Sequence, residues 1–205
     1  MAETANARPG TRGPVRTRRR GDDLRNAILD AALRELAATG YGRLTMEGVA
    51  AAAGTGKAAL YRRWPNKDEL VTDALRTVLP DLSELRLDGP LRDDLLALLL
   101  GMRDAMNIGN GAVFQTVKQE GGEGAFGKVF AMMQQRVLYA CRDAVLGVLR
   151  RGAAAGEVCP SAVNTALATA GPAMLIHFAV TEECEVPDDY VVSIVDDVLM
   201  PAAVR

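Results

Sequence analysis

The sequence predicts an all-α protein, and three observations carry that prediction. Aromatic residues make up only 4% of a chain that is 49% hydrophobic, and the apolar content is dominated by Ala and Leu rather than by alternating β-branched residues. Apolar positions recur at helical spacing, as in Ile28, Leu29, Ala32, Leu33 and Leu36. The breaks between such runs fall on Gly and Pro, at Gly40-Tyr41-Gly42, Gly54, Pro80 and Gly121-Gly122. A length of 205 residues suits one domain or two small ones with an ample core.

Residues 1–20 are rich in Ala, Gly, Pro and Arg and are expected to be disordered when free. The first helix should start at Asp22-Asp23, acids suited to the positive end of a helix, and run to about Thr39. The stretch Thr45 to Leu70 is the most informative in the chain. Thr45 reads as an N-cap, Val49, Ala50 and Ala53 form a small apolar face, and Gly54 ends that helix. After Thr55-Gly56 the run KAALYRRW restarts a helix with Leu60 and Trp64 on one buried face. Lys57, Ala58, Tyr61, Arg62 and Arg63 then point outward. A third helix over Lys67 to Leu79 places Leu70, Ala74, Leu75 and Val78 on its apolar side. Pro80 stops it, and Asp81 to Pro90 reads as a connector.

Five further helices are expected. The first covers about 91–106, with Leu95, Leu96, Leu98, Leu99, Met102 and Met106. A shorter one covers about 111–120 and ends at Gly121-Gly122-Glu123-Gly124. A long helix of about 125–151 leads into a loop from Gly152 to Pro160. The last two span about 161–181 and 188–201, separated by an acidic Glu182–Pro187 turn.

Two short helices joined by a tight Gly turn, the second exposing basic and aromatic groups, form a helix-turn-helix whose second helix fits the DNA major groove. Charge placement agrees. Residues 1–76 carry 14 Lys/Arg against 9 Asp/Glu, and residues 77–205 carry 10 against 17, so a basic end sits on an acidic body. The order Thr45, Val49-Ala50, Ala53-Gly54, then Leu60 through Leu70 (LYRRWPNKDEL), resembles the DNA-binding signature of the tetracycline-repressor (TetR) family. The likeness covers about a third of the chain, and beyond it only the layout is similar. It implies a helix-turn-helix domain over residues 21–66, preceded by the arm 1–20, and a helical regulatory and dimerisation domain over 67–205.

By match to that signature, Thr45, Tyr61, Arg63 and Lys67 stand at phosphate-contacting positions, and Lys57 and Ala58 at base-reading ones. A Lys there can donate to guanine N7 and O6, and an Ala can touch a thymine methyl. Met46 and Glu47 are further groove candidates, and Arg62 faces either backbone or base. Arg18, Arg19 and Arg20, with Arg16, form an arm suited to phosphates or the minor groove. Tyr41 matches an aromatic that the family packs between its first helix and the motif. Two departures stand out: Gly56 replaces a side-chain cap and Ala59 a hydroxyl residue.

The last helices are apolar nearly all round, with small Ala166, Ala168, Ala170 and Ala173 beside large Leu167, Met174, Leu175 and Ile176, then Val192, Ile194, Val195, Val198 and Leu199. They resemble the pair that docks on a two-fold copy in the family, which predicts a homodimer on a double-stranded DNA operator. Met102, Met106, Phe114, Phe126, Phe130, Met133, Tyr139, Met174, His177 and Phe178 are candidates for an effector pocket, since Met- and aromatic-lined space accepts varied apolar ligands.

Other classes fare poorly. Cys141, Cys159 and Cys184 are odd in number with no Cys-x-x-Cys pair, and His177 is the single histidine, so neither a disulfide scaffold nor a metal or other cofactor is expected. No paired nucleophile and base, and no phosphate-cradling glycine motif, points to an enzyme. The pairs Asp93-Asp94, Asp188-Asp189 and Asp196-Asp197 read as solvated. Residues 1–20 hold no apolar run that would make a signal peptide, and Leu95–Leu100 is too short to span a bilayer, so a cytoplasmic location is expected. The reading is a ligand-responsive transcriptional repressor. The alternatives are a DNA-binding regulator without small-molecule input, or an activator.

Overall fold

The computed structural model describes residues 21–80, 82–108, 127–182 and 185–204. Among them every regular element is helical. Helix α1 (Gly21–Arg43) begins with Asp22 and Asp23 and buries Ile28, Leu29, Ala31, Ala32 and Leu36. Its geometry breaks at Gly40, φ 74° and ψ 165°, a conformation that residues with a Cβ avoid. The helix was expected to end near Thr39. Instead the kink turns the chain so that Tyr41 buries its ring, 1% exposed, and the last turn runs on to Arg43.

Helices α2 (Met46–Ala52), α3 (Lys57–Tyr61) and α4 (Lys67–Val78) follow. Asn66 caps α4, its side-chain oxygen accepting from the Glu69 N–H at 2.9 Å. Leu70, Val71, Ala74 and Leu75 form the buried stripe of α4, which packs on α1. Val78 shares the spacing of that stripe but is the last residue of α4, where the packing ends, and it is 41% exposed. A short 3-10 turn, Leu82–Glu84, buries Leu82 within the connector.

The body is built from α5 (Leu91–Asn107), α6, α7 (Thr165–Thr181) and α8. Helix α6 is a continuous rod of three segments, Gly127–Met133, a π-helical stretch Gln134–Tyr139, and Ala140–Ala154. Helix α8 repeats the pattern with Asp188–Ser193, a π-helical Ile194–Leu199 and Met200–Ala203. Helix α5 contacts α6, α7 and α8 and buries Leu95, Leu98, Leu99 and Met102 among them. The closest approach needs Gly171 on α7. A Cβ there would stand 3.1 Å from both δ carbons of Leu99 and 3.2 Å from Leu199 Cδ1. Ala168, Leu175, Ile194, Val195 and Leu199 are buried within this single chain. The last two helices therefore complete the chain's own core, a role the sequence did not assign them.

Several element boundaries also shift. Helix α6 continues to Ala154, and the turn follows at Gly156, φ 78°. There the amides of Glu157 and Val158 return to the Gly152 carbonyl at 2.9 and 3.2 Å. Helix α7 starts at Thr165, capped by Asn164, whose side-chain oxygen accepts from the Leu167 N–H at 2.9 Å; residues 160–162 form a separate 3-10 turn. The expected helix over 111–120 and the glycine break after it lie outside the described residues, as do Glu183 and Cys184 of the acidic turn.

The acidic pairs are not simply solvated. Asp94 is 5% exposed. Its carboxylate reaches back to accept from the Gly89 N–H at 3.3 Å and pairs with Arg151, which also donates to the Gly89 carbonyl at 3.2 Å. Arg92 holds Asp196 through two bonds of 2.6 and 2.9 Å, and Arg103 pairs with Asp188, joining α5 to α8 twice. The Arg92 hydrogen bond lowers the Asp196 pKa. Cys141 is buried on α6, and burial pushes its thiol up to about 12. Cys159 is partly exposed, and the Ser161 hydroxyl beside it lowers its pKa. Among the described residues no helix is long and apolar enough to cross a membrane, and no cluster of metal-ligating side chains forms.

Candidate nucleic-acid interface

The helix-turn-helix is assembled by local rules. Thr45 is extended, φ −126° and ψ 148°, and its Oγ1 accepts from the Gly48 N–H at 3.1 Å. Helix α2 ends through Gly54 at φ 65°. The Thr55 amide returns to the Ala50 carbonyl at 2.9 Å and the Gly54 amide to the Ala51 carbonyl at 3.0 Å, which is a Schellman ending. Gly56 then opens α3 in extended backbone without a side-chain cap, as its lack of an oxygen requires. Leu60 is fully buried and Trp64 is 4% exposed. These two anchors press α3 onto the unit and leave Lys57, Ala58, Tyr61 and Arg62 exposed on the other side.

The exposed face is ordered by a residue of α2. Glu47 Oε1 lies 3.4 Å from both Lys57 Nζ and the Tyr61 hydroxyl, which donate to it. Glu47 titrates below its ordinary range because its carboxylate accepts from its own backbone N–H, helped by Lys57 and Tyr61 and opposed by partial desolvation. Lys57 remains 65% exposed, so its ammonium is oriented without being buried. The sequence named Glu47 only as a further groove candidate. Its contacts to residues 57 and 61 cross the turn, and spacing along one helix does not reveal them.

Other predicted positions separate by environment. Thr45 is exposed, and while its oxygen caps α2 its hydroxyl proton remains available to a phosphate. Arg63 is half-buried and donates to the Gly21 carbonyl at 3.2 Å, tying the end of the recognition segment to the start of α1, just after the arginine arm. Arg18, Arg19 and Arg20 themselves lie outside the described residues. Lys67 turns inward in the free protein. Its ammonium donates to the Tyr41 carbonyl at 3.0 Å and sits 4.3 Å from the centre of the Tyr41 ring, while the Tyr41 hydroxyl donates to Asp68. Met46 departs from expectation. It is 6% exposed, directed into the core of the unit by its place at the first turn of α2, so it is no groove contact.

The effector-pocket candidates differ in burial. Met102, Met106 and Met133 are buried in the core, and Phe130 and Phe178 pack against it half-buried. Tyr139 and Met174 are half-buried, Arg142 lies over the Tyr139 ring, and Phe178 stacks at 4.5 Å on Tyr190. His177 is exposed on α7, neither a core histidine nor an interior ligand group, because it falls on the side of α7 opposite Leu175. Phe114 and Phe126 lie outside the described residues.

Residues 28–74 match the model of bacterial regulatory proteins of the tetR family, and residues 87–198 match the tetracyclin repressor-like carboxy-terminal domain. The chain belongs to the TetR family. It is a DNA-binding transcriptional regulator and not an enzyme. An HTH-type transcriptional regulator of Mycobacterium tuberculosis is 32% identical over 179 residues, 87% of each chain. A regulator from Saccharomonospora viridis, solved in complex with choline, superposes with a TM-score of 0.70 at 19% identity, covering 90% of this chain and 100% of that one. The SmeT–triclosan complex superposes with a TM-score of 0.62 at 22% identity, covering 89% and 92%. These two structures share the TetR fold with this chain.

Proposed function

We propose that this TetR-family regulator acts in the cytoplasm as a homodimer on a pseudo-palindromic operator and represses transcription until a small apolar or amphipathic effector releases it. The carrying observation is the α3 face itself, with Lys57, Ala58 and Tyr61 exposed and the first and last of them oriented by Glu47. Lys57 and Ala58 read base edges, and Thr45, Tyr61 and Arg63 hold phosphates, aided by Arg62, Lys67 and the arm residues Arg18, Arg19 and Arg20. The arm 1–20 precedes a DNA-binding domain over 21–66, and the regulatory and dimerisation domain runs over 67–205.

Ala166, Ala170, Ala173, His177 and Val180 form a stripe along α7 that this chain leaves wholly or partly exposed. Docking that stripe and the adjoining part of α8 on a second copy presents two recognition helices to major-groove faces about 34–36 Å apart. Effector release is favoured by the ligands that the S. viridis and SmeT proteins hold. Repression is the commonest behaviour of the family.

The deciding experiment incubates purified protein with genomic fragments and sequences the bound sites. A shared pseudo-palindrome, lost for a Lys57→Ala/Tyr61→Ala variant that keeps its helical content, is the expected result. Binding without a shared motif, or none at physiological salt, overturns the reading.

A further inference from the structure

A groove of about 870 Å³ separates the recognition unit from the body. One wall is a single stripe of α4, with Glu69, Thr72, Asp73 and Arg76 at successive helical-face positions. The facing wall is a stripe of α6, with Lys128, Ala131, Met132 and Gln135 in the same register. Arg63 and Trp64 close the end nearest the recognition helix. None of the Met and aromatic candidates named from the sequence lines it.

The polar groups of the groove are unevenly engaged. Asp73 already accepts from Arg25 at 2.9 Å and from Trp64 Nε1 at 3.1 Å, and Glu69 pairs with Lys128 at 3.3 Å. Of the four lining cations, Lys128 is held by that pair and Arg136 is also engaged, which leaves Arg76 and part of Arg63. Arg76 is exposed and makes no hydrogen bond or ion pair among the described residues, and Arg63 donates from one nitrogen to Gly21. Thr72 Oγ1 is sealed from solvent and bonded to nothing among the described residues. A hydroxyl cut off from water without a replacement partner is costly, and such a group calls for a missing acceptor or donor. Met132 and Trp64, both buried, and Ala131 add an apolar surface beside these donors.

We infer that this groove binds an amphipathic anion of the medium-chain carboxylate class, its head taken by Arg76 and neighbouring donors and its chain lying along Met132 and Trp64. The inference rests on the regulator reading above and assigns it a control point. One wall, α4, follows the recognition helix and packs on α1, and the other belongs to the rest of the body, so an occupant bears on the spacing between them. One direct polar tie across the walls is Lys128–Glu69, with side chains 69% and 46% exposed, a solvated pair that contributes little to holding them together. A ligand shifts the DNA-competent state only through its different affinity for the two spacings.

Trp64 is the chain's single tryptophan and lines the groove, so a bromine atom brought into contact with it quenches its emission. The probe is ω-bromodecanoate, compared with the uncharged ω-bromodecanol. The expected result is saturable quenching by the carboxylate, with the alcohol about tenfold weaker, as loss of one charge-assisted hydrogen bond implies. Arg76→Gln should bring the carboxylate down to the alcohol's level while leaving operator affinity without probe unchanged. At saturation the wild-type affinity for its operator should shift by about tenfold. Equal quenching by both probes, or no quenching where calorimetry detects binding or finds none, overturns the anion site. If Arg76→Gln fails to fold, Thr72→Val and the carboxylate–alcohol difference in the wild-type protein decide the matter. Quenching with unchanged operator affinity overturns the coupling alone, whereas intact quenching in a protein that binds no operator sinks the regulator reading instead.

Discussion

The two halves of this molecule are held by different kinds of contact. In the amino-terminal unit, polar groups tie short helices across turns: Glu47 to Lys57 and Tyr61, Lys67 to Tyr41, Asp73 to Arg25 and Trp64. In the body, long apolar helices pack closely enough for Gly171 to be required between Leu99 and Leu199, and charge enters mainly as pairs at the rim of α5. The difference follows from the work each half does. A surface that meets a polyanion must keep cations outward yet oriented, which short ties across a small core achieve. A body that transmits a change of spacing needs stiff rods in close contact.

Substitutions can break this contrast from either side. The largest effect is expected at Leu60, fully buried under the recognition helix. Leu60→Ala should destabilise the amino-terminal unit by about 2–5 kcal/mol, read as a lowered urea midpoint with loss of DNA binding. Lys57→Ala should weaken operator binding by about 1–3 kcal/mol and leave the melting temperature nearly unchanged, because its one tie, to Glu47, is solvent-exposed. A titration in which both change together would contradict the division drawn between anchors and readers. Gly171→Ala should destabilise the body by about 1–3 kcal/mol through overpacking on Leu99 and Leu199, while a folded protein retains its operator preference.

Smaller effects sharpen the same contrast. Glu47→Gln removes a negative charge from the DNA-facing side and frees Lys57, so DNA affinity should rise a few-fold at low salt and the gain should shrink as salt is added. Acidification should loosen the rim of the body slightly. Asp196 has a lowered folded-state pKa, chiefly through its hydrogen bond with Arg92. The stability it contributes is therefore present above the ordinary carboxylate range and disappears as pH falls through the lowered value. An Arg92→Met variant should lack that part of the acid dependence in calorimetric scans. At the alkaline end the burial of Cys141 acts in reverse. The folded thiol stays neutral up to about 12, so stability declines as pH rises above the range where the unfolded thiol ionises.

Much of the amino-terminal unit was legible in the sequence because its determinants are local. A Thr cap, a Gly at positive φ and two apolar residues one turn apart specify the same short helices wherever they occur, and Thr45, Gly54, Leu60 and Trp64 stand as those rules require. Environment decided the rest. Met46 sits at a position that faces DNA by spacing, yet it is directed into the core; Lys67 bends back on Tyr41; Asp94 is buried because Arg151, from another helix, neutralises it. None of those partners is within one helical turn in sequence. The groove between α4 and α6 was invisible for the same reason, since each wall reads alone as an ordinary polar helix face.

The span of the ties also orders events during synthesis. Arg25 meets Asp73 after only 48 residues, whereas Arg92 must wait 104 residues for Asp196. At about 5–20 residues per second, α5 leaves the ribosome roughly 5–20 s before the helix that covers it. Throughout that interval Leu95, Leu98 and Leu99 have no partner from α8, and for most of it none from α7, while the ties of the recognition unit from Arg25 to Asp73 are already made. A nascent chain of this protein thus carries a finished DNA reader ahead of a sticky, unfinished body, and that body is the part a chaperone on the emerging chain would find.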